Sequence, residues 1–104
     1  MKTYTKRDLV RIIADQRKEP MVQVESMVDD VIRAFRGVML EADPECRIEI
    51  RDFGVFEVKT TKAKPKARNP KTNEVIYVPA HRKTHFKPSK LIKDFLKQPL
   101  DIEK

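Results

Sequence analysis

The stretch from Lys59 to Val78 constrains this chain more than any other, because six cations and no acid lie between Lys59 and Lys71. Strand side chains alternate with period two, which predicts Lys62, Lys64, Lys66 and Arg68 on one face of an extended segment and Ala63, Pro65 and Ala67 on the other. Asn69-Pro70-Lys71-Thr72-Asn73 then carries turn chemistry, since Pro fixes φ and Asn tolerates left-handed φ, before Val75 to Val78 returns as strand. The expectation is a basic two-stranded arm over residues 59–78, fed without interruption by the preceding strand and tipped by Pro70. Pro65 lacks an N–H and is tolerated only at an edge, and a free arm has nothing but edges. An isolated hairpin is marginal in water and these cations repel one another, so the arm needs a body to stand on and an anion to meet.

The charge is segregated. Residues 1–50 carry 9 Lys and Arg against 10 Asp and Glu, while residues 51–104 carry 14 against 6. A sequence pI of about 9.7 is in the range of nucleic-acid-binding domains. With 104 residues and 39% hydrophobic content the chain suffices for a single domain, 1–104. No apolar run suits a signal peptide or a membrane span, which predicts a soluble cytoplasmic protein with no membrane partner. Cys46 is the one cysteine, so no internal disulfide forms, and it reads as a small semi-buried hydrophobe.

Helical signals fill the N-terminal part, about 5–42. Thr5 can cap a first helix with Asp8 three residues on, and Leu9, Ile12 and Ile13 form its apolar stripe up to about Arg17. Pro20 suits the start of a second helix, Met21 to Ala42, whose apolar positions Val24, Met27, Val28, Val31, Ile32, Phe35, Val38 and Met39 repeat with helical spacing. That face is broad for a helix with only short intrachain partners, which predicts a second copy of the chain as its cover; burial against the chain's own sheet is the alternative. Arg47 to Arg51 and Val55 to Val58 alternate as strands about a turn at Asp52-Phe53-Gly54, in a sheet and arm region of about 46–86. His81 to Phe86 returns the chain to the body. Leu91, Ile92, Phe95 and Leu96 mark a last helix, about 89–98, ended by Pro99 and followed by a frayed tail.

Phe53-Gly54-Val55-Phe56-Glu57-Val58, the tip Ala67-Arg68-Asn69-Pro70-Lys71-Thr72, Val78-Pro79-Ala80 and Phe86-Lys87-Pro88-Ser89-Lys90 occur in the order and nearly the spacing of the HU/IHF family of bacterial histone-like DNA-bending proteins. The chain resembles that family from about Thr5 to Lys97. The resemblance implies an α+β intertwined dimer with two N-terminal helices, a three-stranded antiparallel sheet extended into a long β-ribbon arm, and a short C-terminal helix. HU and IHF are themselves type examples of minor-groove architectural proteins, and the implied function is nucleoid organisation by binding and bending duplex DNA. Pro70 would intercalate, with Arg68 and Asn69 beside it in the groove. Lys59, Lys62, Lys64, Lys66 and Lys71 would hold the groove edges and phosphates, and Arg82, Lys83, Lys87 and Lys90 would meet DNA along the body. Val28, Val31, Ile32, Phe35, Val38, Phe53, Phe56 and Phe86 would form the dimer core, in a homodimer or in a heterodimer with a paralogue.

The chain departs from the family pattern in three places. The ascending arm, Phe56 to Pro70, is one residue longer, implying a bulge that flips the face of part of the lysine row. Asn73 and Ser89 stand where glycines are usual; Asn73 tolerates left-handed φ and Ser89 can cap the last helix.

Other chemistries are poorly supported. His81 and His85 do not converge with a third ligand, so no metal is expected. Tyr77 and Phe86 read as packing residues. No nucleophile elbow, phosphate loop or metalloprotease motif is present, which predicts no enzyme, no cofactor and no small-molecule substrate. The alternative from another class is an RNA-binding or ribosome-assembly protein that threads the basic hairpin into folded RNA.

Overall fold

The computed structural model describes residues 1–100, with residues 64–67 described by their backbone alone. Of the expected tail, residues 101–104 lie outside the described residues. The chain divides into two compact units, Met1–Glu41 and Ala42–Lys104.

The first unit is a helical pair. Thr5 caps α1 (Lys6–Arg17) through a reciprocal capping box: its Oγ1 accepts from Asp8 N at 3.4 Å, and Asp8 Oδ2 accepts from Thr5 N at 2.9 Å. Lys18, at φ 54°, turns the chain in the left-handed conformation, and Pro20 precedes α2 (Met21–Leu40). Val10, Ala14 and Val24 form the buried core, with Ile13 and Val28 packed against them. The buried row of α1 lies beside the stripe predicted for it. Leu9 and Ile12 are largely exposed, because the buried row runs one position later, through Val10 and Ala14 at i and i+4. Leu9 and Ile13 instead line a groove of about 690 Å³ with Val24, Met27, Val28 and Val31.

In the second unit, β1 (Cys46–Ile50) pairs antiparallel with β2 (Gly54–Thr60), which pairs antiparallel with β5 (Arg82–Pro88). Asp52 at φ 62° and Gly54 at φ 156° shape the first turn. Glycine is required at 54: a Cβ there would stand 2.5 Å from Lys87 O and 2.6 Å from the Phe86 ring. Phe53, Phe56 and Phe86 gather on one face of this sheet, with ring centroids 4.6 to 6.0 Å apart. Ser89 caps α3 (Lys90–Leu96) by accepting from Ile92 N, as its hydroxyl suggests, and Ser89 N donates to Phe53 O at 2.9 Å.

The arm is a separate ribbon, β3 (Lys64–Arg68) with β4 (Val75–Val78). The uninterrupted feed from β2 is corrected: β2 ends at Thr60, and residues 61–63 lie outside any strand. They run opposite Pro79 and Ala80, and Pro79 has no N–H to close a ladder. Within the arm Lys64 pairs with Val78 but Ala67 pairs with Ile76. Three steps on one strand against two on the other are the bulge that the longer ascending arm implies, at Pro65-Lys66. The single-faced row is corrected with it, because position 68, paired with Val75, falls out of phase with position 64, paired with Val78.

Candidate nucleic-acid interface

The arm tip is built by Asn69. Its N–H donates to Glu74 O at 2.8 Å, its O accepts from Asn73 N at 2.6 Å, and its side-chain Oδ1 accepts from Lys71 N at 3.0 Å across the intervening proline. That Asx turn leaves Pro70 exposed at the crest. Glu74 N donates to Thr72 Oγ1 at 3.3 Å, and Asn73 takes φ 60°, so asparagine fills the left-handed position without a glycine. The N–H groups of Asn69, Lys71, Asn73 and Glu74 are thus used within the turn, and the Pro70 ring stands exposed at the tip with Lys71 and Thr72.

Below the tip, a hollow of about 450 Å³ brings Lys62, Arg68, Asn69, Pro70 and Lys83 around Ile76 and Val78. Five of the predicted contact residues therefore meet at one concave surface with an apolar floor. Lys71 stands at the tip beside it, and Lys64 and Lys66 lie on the ribbon with side chains outside the described residues. Tyr77 is 62% exposed on β4 of the two-stranded ribbon, so the packing role expected of it is not met among the described residues.

Lys59, Arg82, Lys83 and Lys87 lie on the central sheet and Lys90 opens α3. Lys59 sits directly across from Lys83, an arrangement of like charges that costs stability unless an anion is near. The near anion is Glu57, which sequence reasoning missed. Its side chain is only 3% exposed, and Arg47 Nη2, Lys87 Nζ and Lys59 Nζ stand 3.0, 3.2 and 3.9 Å from its carboxylate. Oε1 has Lys87 at ion-pair distance but no donor aligned on it, so charge rather than direction holds Lys87 there. Burial pushes the Glu57 carboxyl up, but Lys87, Arg47 and the Lys59 charge outweigh it and hold it below the ordinary value. Hairpin arithmetic about the Asp52 turn puts Arg47 opposite Glu57, a signal available in the sequence; Lys87 needs the β2–β5 register and was not.

Two further partners were also missed. Arg82 Nη1 donates to Ala42 O at 2.7 Å, tying β5 to the segment that leads into β1. Glu45 Oε2 accepts from Thr60 N at 2.9 Å and Thr60 Oγ1 at 3.1 Å, and these bonds, main chain first, hold its carboxyl below the ordinary value. Among the described residues, no three His, Cys, Asp or Glu converge as a metal site and no helix is long and apolar enough to cross a membrane.

A three-stranded sheet and a separate cationic ribbon with an exposed proline at its crest in one unit, and a helical pair with an open apolar groove in the other, are the parts of an α+β architectural DNA-binding fold. The comparisons agree. A family model described as bacterial DNA-binding protein matches residues 4–97. DNA-binding protein HU-1 of Halalkalibacterium halodurans is 35% identical over 89 residues, covering 86% of this chain and 94% of that one. Integration host factor subunit beta of Pseudoalteromonas translucida is 35% identical over 91 residues, covering 86% and 92%. A probable DNA-binding protein HU of Chlamydia trachomatis is 34% identical over 101 residues, covering 95% and 96%. Among solved structures, HU in a DNA cocrystal from Anabaena superposes with a TM-score of 0.77 at 27% identity, over 92% of this chain and 100% of that one. The chain belongs to the HU/IHF family of bacterial DNA-binding proteins.

Proposed function

We propose that this chain acts as a dimer that binds the minor groove of duplex DNA with its two arms and bends it by inserting Pro70 between base pairs, as a nucleoid-organising protein of the cytoplasm. The observation that carries the reading is the exposed Pro70 ring, fixed at the crest by Asn69 and flanked by Arg68, Lys62 and Lys83. A wedge unstacks a step at a cost of a few kcal/mol, and the bend then brings phosphates to the cations of the sheet. Lys59, Lys87 and Lys90, with Arg82 and Lys71, supply those contacts, as do Lys64 and Lys66 of the ribbon. The DNA neighbour of the Anabaena protein supports the same ligand for this one.

Dimerisation is proposed from the exposed apolar residues of each unit. Val31, Ile32 and Val38 are 56, 41 and 49% exposed, and Val28 and Phe35 only half-buried. Phe53 and Phe86 are 44 and 39% exposed, and Phe56 is half-buried. Exposed apolar faces of this kind are protein interfaces, and a second copy of the chain is the proposed occupant of each.

Binding measured against salt tests the function. If the dimer neutralises about six to ten phosphates, affinity for duplex DNA falls roughly 10³ to 10⁵-fold between about 50 and 200 mM salt. A log-log slope nearer zero than about −3, or preference for structured RNA over duplex DNA at matched salt, contradicts the reading.

A further inference from the structure

The ladder of the central sheet stops at the pair Thr60–Arg82 and resumes in the arm at Lys64–Val78. Three residues lie between these pairs on each strand, so register is kept across the gap. At every second facing pair of an antiparallel ladder the two residues exchange two main-chain hydrogen bonds. At Thr61–His81 one of them is replaced. Thr61 N donates to His81 O at 2.7 Å, but His81 N donates to the Thr61 hydroxyl at 3.3 Å. The same hydroxyl donates to His81 O at 3.2 Å and stands 3.0 Å from His81 Nδ1. Nδ1 also lies 3.2 Å from Pro79 O, and since a carbonyl only accepts, Nδ1 is the donor there. On the sheet side the strands are already tied down, Thr60 by Glu45 and Arg82 by Ala42 O. The arm root is tied by Thr61 and His81.

We propose that Thr61 and His81 are positioning residues, a side-chain clasp at the root of the arm that sets the angle at which Pro70 is presented and so sets the DNA bend. The assignment rests on the DNA-bending reading above. Its leverage is geometric. Thr61 to Pro70 spans nine residues, roughly 30 Å of strand. A swing of about 10° at the root therefore moves the tip by about 5 Å, more than the ~3.4 Å between stacked bases. A wedge that must enter one base step needs its root fixed more tightly than a single ladder bond fixes it.

The test uses the full chain with Thr61→Val, which keeps the β-branched shape and removes the hydroxyl, and Thr61→Ser, which keeps the hydroxyl. Two readouts are taken: backbone ¹⁵N order parameters of the tip amides of residues 68 and 71–74 in the free protein, and energy transfer across an end-labelled duplex at saturating protein. Thr61→Val is expected to lower tip order and to reduce and broaden the bend, with the salt slope of binding within about one unit of the parent's, and Thr61→Ser to restore both. Tip order and bend equal to the parent's in Thr61→Val overturn the clasp. Lowered tip order with an unchanged bend overturns its positioning role. A parent chain that leaves the duplex straight overturns the bending reading instead, and tip order in Thr61→Val then upholds or overturns the clasp by itself.

Discussion

At the scale of residues, the interface is prepared by charges that already have partners. Glu57 holds Arg47, Lys59 and Lys87 around one covered carboxylate, so the sheet keeps a cationic face in place before any nucleic acid arrives. Its folded pKa is depressed, as are those of Glu45, bonded by Thr60, and Asp8, bonded by Thr5. Stability from such groups is fully present above their unfolded values, 4.5 for the glutamates and 3.8 for the aspartate, and is lost as pH falls through the lower folded values. The thermal midpoint should therefore drop on acidification below about pH 4.5, and Glu57→Gln should lower it at neutral pH while flattening that drop. Parallel curves for parent and variant would show that Glu57 contributes nothing to acid sensitivity. Gly54→Ala meets both a left-handed backbone and a main-chain oxygen 2.5 Å from the new carbon, and should cost about 2–4 kcal/mol in urea unfolding. A loss under about 0.5 kcal/mol would mean that the β2–β5 approach relaxes freely.

At the scale of elements, much was legible because the signals are local. The capping box at Thr5, the helix from Met21, the strand at Val75–Val78 and the cap at Ser89 each follow from residues within one turn or pair. The bulge could be anticipated by counting residues in the ascending arm, and the register places it at Pro65-Lys66. What was not legible depends on residues far apart in sequence. The Val10–Ala14 face competes with an equally apolar Leu9 face, and helical spacing alone does not choose between two adjacent apolar rows. The break at 61–63 needs Pro79 across the ribbon, and the Glu57 cluster needs three strands in register. For the candidate site, residue types and the tip motif pointed to the arm cations, while the Glu57 carboxylate beside Arg47, Lys59 and Lys87 emerged only from pairing.

At the scale of the whole molecule, the account is of a proposed dimer in which the helices associate and the arms bind. If the apolar face of α2 is covered only by a second copy, folding and association are one event and the thermal midpoint should rise with protein concentration. Val31→Asp puts a charge on that face and should yield a monomeric, largely unfolded chain by sedimentation and circular dichroism. A concentration-independent midpoint together with a folded Val31→Asp monomer would refute the proposed interface. The central claim is that the Pro70 ring, carried on a basic ribbon, creates the bend. Its most direct test is energy transfer between the ends of a labelled duplex at saturating protein, parent against Pro70→Ala. The account predicts that Pro70→Ala still binds, within about tenfold or 1.4 kcal/mol, but leaves the duplex markedly straighter. An unchanged bend in Pro70→Ala would contradict it.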